Sequence, residues 1–276
     1  MTATLIISVT SDIGLAYAKY CYDKKFIVHG TYRNCAQLYN LRNVCSSSFH
    51  LDLSSEDSVK QFKDEFSLSN IKWSNLVFCP CQPYPYENFF SSKFTDWAES
   101  FQLNSLRQLE LLHYLYDYRA AFSKVLFFSG GGTNSAVNAF SAYTSAKIHL
   151  IKMVELLDSE NIDMTFTVLG PGWVNTKTHL NVFQHTLPHS DKYKQTSSFL
   201  SNPEGATPMY DVVQSISWIF AQPKNVVGGR NFSSAYDPID SQHPDSSKLV
   251  SYLENDSNMF KLRRAGNHLF SQKRFL

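Results

Sequence analysis

Short β-branched runs alternate with amphipathic stretches along most of this chain, and that alternation limits the fold more than any single residue does. TLIISV, FIVHGTYR, SFHLDL, NLVFCP, KVLFFSG and MTFTVLGPG read as strands. LAYAKYCYDKK, a short stretch around Cys35 to Arg42, EDSVKQFKDEF, FTDWAESFQLNSLRQLELLHYLYDY and YTSAKIHLIKMVELLDSE carry helical spacing. Several strands are continuous apolar runs, as in strands covered on both faces. The expectation is an α/β chain, a doubly wound parallel sheet with helices on both faces. Ligands of such sheets bind beyond the carboxyl ends of the strands.

With 43% hydrophobic residues among 276, the chain can bury a sizeable core in a single domain. A net charge of +1 gives no general basic field, so nucleic acid is not an expected partner. The cysteines, Cys21, Cys35, Cys45, Cys79 and Cys81, are odd in number and form no CxxC pair. They predict free thiols in a reducing cytoplasm, with neither a disulfide framework nor a metal site. No apolar run approaches the roughly 18 residues of a membrane span, and the N-terminus lacks the features of a secretion signal. A soluble, cytoplasmic protein with no membrane partner is expected. The polar segment 177–208 reads as a long loop or a broken helical lid.

The first strand runs into S-V-T-S-D-I-G, residues 8–14. A tight strand-to-helix turn of small residues can set backbone N–H groups and a helix N-terminus against a phosphate. It can equally be an ordinary helix start capped by Ser11 or Asp12. About 20 residues on, a dinucleotide site uses an acid for a ribose hydroxyl or an arginine for a 2′-phosphate. The second strand ends in T-Y-R-N, so Arg33 stands there without an adjacent carboxylate. Guanidinium pairs with phosphate in bidentate fashion, which favours NADP over NAD; a plain surface arginine is the other reading.

Tyr143 and Lys147 lie four residues apart on one helical face. A tyrosine with its usual pKa of about 10 is a poor acid or base, but a nearby ammonium favours its phenolate. Such a pair can pass a proton to a carbonyl oxygen as hydride reaches the carbon. A bare YxxxK also arises by chance; its place after a fifth strand makes it specific.

The ordered set SVTSDIG, TYR, HLDL, Asn104, YTSAK and GPGWVNT resembles the short-chain dehydrogenases/reductases over about residues 4–235. The resemblance implies a Rossmann-type domain, residues 1–236, that binds NADP through Ser8, Thr10, Ser11, Asp12, Ile13, Gly14 and Arg33. It implies that Asp52 and Leu53 flank the adenine, that Cys79 borders the cofactor, and that Gly172, Val174 and Thr176 contact its nicotinamide half. Tyr143 and Lys147 would be catalytic, with Asn104 holding a water for proton relay. The resemblance also implies a homo-oligomer, dimer or tetramer, paired through long helices. Residues 237–276 would be a C-terminal extension over the active-site mouth, a neighbouring subunit or the chain's own surface.

Three features depart from the family pattern. Ser8 and Asp12 stand for glycines in the turn, and F-C-P-C, residues 78–81, replaces N-N-A-G. Cys79 and Cys81 read as small packing residues. Gly130 occupies the place of the usual catalytic serine. Ser129 is the first candidate to replace it, with Thr133, Asn134 and Ser135 behind. The expected function is NADP-dependent hydride transfer to or from a carbonyl or secondary alcohol of a small molecule. The lid residues Lys177, His179, His185, His189, Lys192 and Lys194, interleaved with Phe183, Tyr193 and Phe199, suit an anionic, ring-shaped substrate such as a phosphorylated or nucleotide-linked sugar; a solvated basic loop is the alternative. Other stretches resemble reductases of bacterial surface-polysaccharide synthesis. The competing readings are a catalytically impaired relative that binds NADP(H) as a sensor or structural partner, and a sugar epimerase or dehydratase.

Overall fold

A computed structural model of the chain describes residues 3–186 and 191–264. Its strands are β1 (Ala3–Ile7), β2 (Ile27–Tyr32), β3 (Ser47–His50), β4 (Trp73–Phe78), β5 (Arg119–Phe128), β6 (Thr165–Gly170) and β7 (Arg230–Ser233). They form one parallel sheet in the order β3-β2-β1-β4-β5-β6-β7. Strand order reverses between β1 and β4, which makes that point the crevice where such sheets take ligands. The helices are α1 (Asp12–Asp23), α2 (Leu38–Leu41), α3 (Glu56–Leu68), α4 (Phe94–Phe101), α5 (Arg107–Leu115), α6 (Ser141–Glu160), α7 (Lys177–His185), α8 (Asp191–Ser201), α9 (Met209–Ala221), α10 (Lys224–Val227) and α11 (Ser246–Asn255).

Successive strand residues point to opposite faces, and both faces are apolar here. Leu5, Ile7, Leu76, Phe78, Val125 and Phe127 meet Phe62 of α3, Leu111 of α5 and Leu150 of α6. Ile6, Val77 and Leu126 meet Tyr17 and Ala18 of α1 and Val212 and Ile216 of α9. This is the doubly covered sheet that the continuous apolar runs predict. Each fully buried Leu or Phe contributes about 1.5–3 kcal/mol of transfer free energy.

Two elements escape the sequence pattern. Strand β7 contains Arg230, which is buried because its guanidinium donates to the carbonyls of Leu253 at 2.7 Å, Asp256 at 3.0 Å and Met259 at 2.6 Å. Helix α9 is rich in β-branched residues, which blur its helical signal. The long helical stretch from Phe94 is interrupted by a π-helical turn at Gln102–Leu106 that buries Asn104 and Ser105. The lid segment forms α7 and α8. Residues 187–190, with His189, the Lys192 side chain and the tail from residue 265 lie outside the described residues.

The C-terminal extension packs on its own domain. Trp218 donates through Nε1 to Ser246 Oγ at 2.8 Å. The Asn231 amide donates to the Phe260 carbonyl at 2.9 Å, which pairs the outer edge of β7.

Candidate active site

The turn after β1 is pinned to β2. The Ser8 amide donates to Thr31 Oγ1 at 2.8 Å and the Val9 amide to the Thr31 carbonyl at 2.9 Å. Ser11 is the N-cap of α1, its Oγ accepting from the Gly14 amide at 3.0 Å. A Cβ on Gly14 would lie 2.8 Å from Ser11 Oγ and 2.9 Å from the Ser8 carbonyl oxygen, so only glycine lets helix and turn approach this closely. The amides of Asp12 and Ile13 have no hydrogen-bond partner among the described residues. They are orphan donors of the kind that bind an anion. Ile13 also packs against the core. Thr10 lines a cleft with Gln37, Asn40 and Lys177. Asp12 turns away to the lid, where its carboxylate accepts from the Lys177 amide at 2.7 Å and lies 3.3 Å from Lys177 Nζ.

Arg33 follows β2 and is exposed; its carbonyl lies 3.1 Å from His50 Nε2. Asp52 lies beyond β3, with its Oδ1 accepting from the Ser54 amide at 2.9 Å and Ser54 Oγ at 2.7 Å. Burial raises the Asp52 pKa, but the Ser54 bonds and the charges of Arg33 and His50 outweigh it and hold the carboxyl below its ordinary value. Arg33 therefore has an acid within electrostatic range that its immediate sequence does not show. Leu53 is buried in the core.

Tyr143 and Lys147 lie one turn apart near the start of α6. Lys147 is 1% exposed, and its Nζ sits 5.7 Å from the centre of the Tyr143 ring. Burial lowers the Lys147 pKa, while the charges of Cys81 and Cys79 oppose that shift. Burial also raises the Tyr143 pKa well above its ordinary value, with the charge of Cys81 and a hydrogen bond to it adding to the shift. The ammonium was expected to lower this tyrosine, whereas burial and Cys81 raise it.

Cys79 is buried between the turn and the lysine, with Ser11 and Lys147 as neighbours; burial pushes its thiol up to about 12. Cys81 departs from the expected packing role: it is exposed, and its Sγ lies 3.5 Å from Tyr143 Oη. Gly130 backs the tyrosine, since a Cβ there would fall 2.5 Å from Tyr143 Oη. Ser129 is buried, and its Oγ is directed at Gly170, where an added Cβ would meet it at 3.0 Å. It has no hydrogen bond to Tyr143 among the described residues. In the loop after Ser129, Thr133 is half-buried and Asn134 and Ser135 are exposed.

Asn104 is wholly buried. Its Nδ2 donates to the carbonyls of Gln82 at 2.7 Å and Ser100 at 2.9 Å, and its Oδ1 accepts from the Gln82 amide at 3.0 Å. The side chain thus clamps the backbone beside Cys81. Gly172 has φ +76° and faces Thr207 Oγ1, which a Cβ would approach to 2.2 Å. Val174 is buried, and Thr176 is the N-cap residue of α7. The lid aromatics stack on one another: Trp173 on His179 at 5.1 Å, His179 on Phe199 at 4.8 Å, and Phe183 on Tyr193 at 4.7 Å.

No protein-family model matches the chain. In sequence it is similar to an uncharacterized oxidoreductase of Saccharomyces cerevisiae, 22% identical over 201 residues, covering 71% of this chain and 79% of that protein. The crystal structure of that yeast protein, a short-chain dehydrogenase/reductase, superposes with a TM-score of 0.76 at 19% identity over 88% of this chain and 99% of its own. The fold is that of the short-chain dehydrogenases/reductases. It recurs in a Shigella flexneri protein described as a short-chain dehydrogenase and complexed with NADP, with a TM-score of 0.68 and 15% identity over 84% of this chain and 96% of that one. Actinorhodin polyketide ketoreductase with NADPH gives a TM-score of 0.71 and 14% identity over 84% and 95%.

On this short-chain dehydrogenase/reductase fold the turn, Cys79, Tyr143 and Lys147 converge at the ends of β1, β4 and β5. Arg33 and Asp52 gather at the ends of β2 and β3. Sequence reasoning passed over Thr31, Gln108 and Thr207, and it gave Cys81 another role. Thr31 and Gln108 act through backbone groups distant in sequence, which no local pattern announces. Among the described residues no cluster of His, Cys, Asp or Glu could hold a metal ion, and no helix is long and apolar enough to cross a membrane.

Proposed function

We propose that the protein is an NADP-dependent oxidoreductase acting on a carbonyl or secondary alcohol of a small molecule. The observation that carries this reading is the pair of half-buried Tyr143 and buried Lys147, set one helical turn apart beside the phosphate-type turn. The orphan amides of Asp12 and Ile13 and the space kept by Gly14 suit a dinucleotide pyrophosphate. Arg33 would take the 2′-phosphate, and NADP and NADPH in two similar structures support that choice. When bound, the cofactor supplies or accepts hydride.

The chain's own residues handle the proton. Tyr143, kept protonated by burial, suits donation to a carbonyl oxygen, which favours reduction. Lys147 then offers a positive charge to the phenolate that remains. Sugar-derived carbonyls are the first class to screen, given the sequence resemblance to surface-polysaccharide reductases. The free thiols suit a cytoplasmic location. Phe94, 67% exposed, stacks on Trp97 and Trp97 on Phe101 along α4, which suits coverage by a second copy in a homodimer or tetramer.

A second reading, a catalytically impaired NADP(H) sensor, is favoured by Gly130 in place of a hydroxyl. Titration with NADPH and NADH by nicotinamide fluorescence, with Arg33→Ala alongside, tests both readings. NADPH binding that weakens in Arg33→Ala, followed by turnover of a carbonyl panel, supports the oxidoreductase. Binding without any turnover favours the sensor. Failure to bind either nucleotide ends both.

A further inference from the structure

Cys81 sits at the mouth of the site, exposed, with its sulfur 3.5 Å from the Tyr143 hydroxyl oxygen. Two further features bear on it. Position 130 brings no side chain to the tyrosine, because the ring lies where its Cβ would project. The backbone carrying Cys81 is held on its C-terminal side, where Asn104 bonds both the amide and the carbonyl of Gln82 at 3.0 and 2.7 Å. It is also held on its N-terminal side, where Gln108 Nε2 donates to the Pro80 carbonyl at 3.4 Å. A buried amide and a π-helical turn thus fix one thiol against the reacting oxygen.

We propose that Cys81 is a catalytic residue, whose thiol hydrogen-bonds Tyr143 Oη and fills the role left open by the missing hydroxyl at position 130. The proposal rests on the oxidoreductase reading. In the reductive direction the O–H bond of Tyr143 breaks and an O–H bond forms on the substrate oxygen. Cys81 keeps its own proton and donates it as a hydrogen bond to the phenolate oxygen left behind. The thiol is a weak donor, so its contribution is smaller than that of a hydroxyl or an amide.

The test uses the full chain with Cys81→Ala and Cys81→Ser. It reads NADPH affinity, melting temperature, and kcat and KM across pH for a carbonyl that the wild type reduces. Cys81→Ala is expected to keep its NADPH affinity and melting temperature and to lose about 10-fold in kcat. The Tyr143 limb of its pH profile should move up, because the phenolate loses the hydrogen bond that the protonated thiol gives it. Cys81→Ser should recover most of kcat. An active wild type with an equally active Cys81→Ala and an unmoved pH profile overturns the proposal alone. A wild type that binds NADPH but reduces no carbonyl overturns the oxidoreductase reading, and the catalytic role falls with it.

Discussion

Ser8 adopts φ +59°, a left-handed conformation that costs a residue with a Cβ roughly 1 kcal/mol. Its amide, not its side chain, makes the bond that pins the turn. Ser8→Gly should therefore raise stability by about 0.5 kcal/mol after the extra unfolded-state entropy of glycine is subtracted, and should tighten NADPH binding; chemical denaturation and fluorescence titration read the two effects. Lys147 is the other residue under tension. Its pKa is lowered on folding, so its charged form destabilises the native state, most at low pH, and the penalty fades as pH rises towards the ordinary value of 10.5. Lys147→Met should melt higher than wild type at pH 6, by an amount that shrinks at alkaline pH, while abolishing reduction.

Between the two halves of the long helix, the π-helical turn aims Asn104 at the β4 exit rather than along the helix. A regular α-helix would rotate the side chain off the Gln82 backbone, which explains why an interruption stands within an otherwise periodic stretch. Asn104→Ala leaves the Gln82 amide and carbonyl without their partner. At about 1–3 kcal/mol for each orphaned group, it should lower Tm by roughly 5–15 °C in a thermal melt. Helix α7 is held differently. Asp12, from the turn after β1, takes its first amide, so that turn and α7 share one carboxylate. Asp12→Ala should speed hydrogen exchange in α7 while leaving α3 and α5 protected.

Across the whole molecule, the C-terminal extension is tied back by Arg230 from within the sheet and by Arg263 on the surface. Arg263 donates to both Glu155 carboxylate oxygens, at 3.0 and 2.7 Å. Those bonds, with a further one from Lys152, outweigh burial and lower the Glu155 pKa from 4.5 to about 2. Since the folded-state value is the lower one, the stabilisation is complete above pH 4.5 and is lost as pH falls towards 2. Arg263→Ala should be less stable than wild type at pH 7, and the difference should narrow across that acid window in urea titrations.

The alternation of β-branched runs with helical spacing determined the doubly covered parallel sheet, because burial on both faces leaves a continuous apolar signature in each strand. The Tyr143–Lys147 spacing, the small-residue turn and Arg33 were legible for the same local reason: each is a short pattern tied to a strand end. Strand β7 was not, since its buried arginine is satisfied only by carbonyls from a segment that folds back on it. Tertiary structure alone decided the microenvironment of the site. It directed Ser129 at β6, set Cys81 against Tyr143, gave Asn104 a backbone to clamp, and let burial raise the tyrosine. Those outcomes depend on distances between residues far apart in the chain and on the exclusion of water, neither of which a linear pattern records.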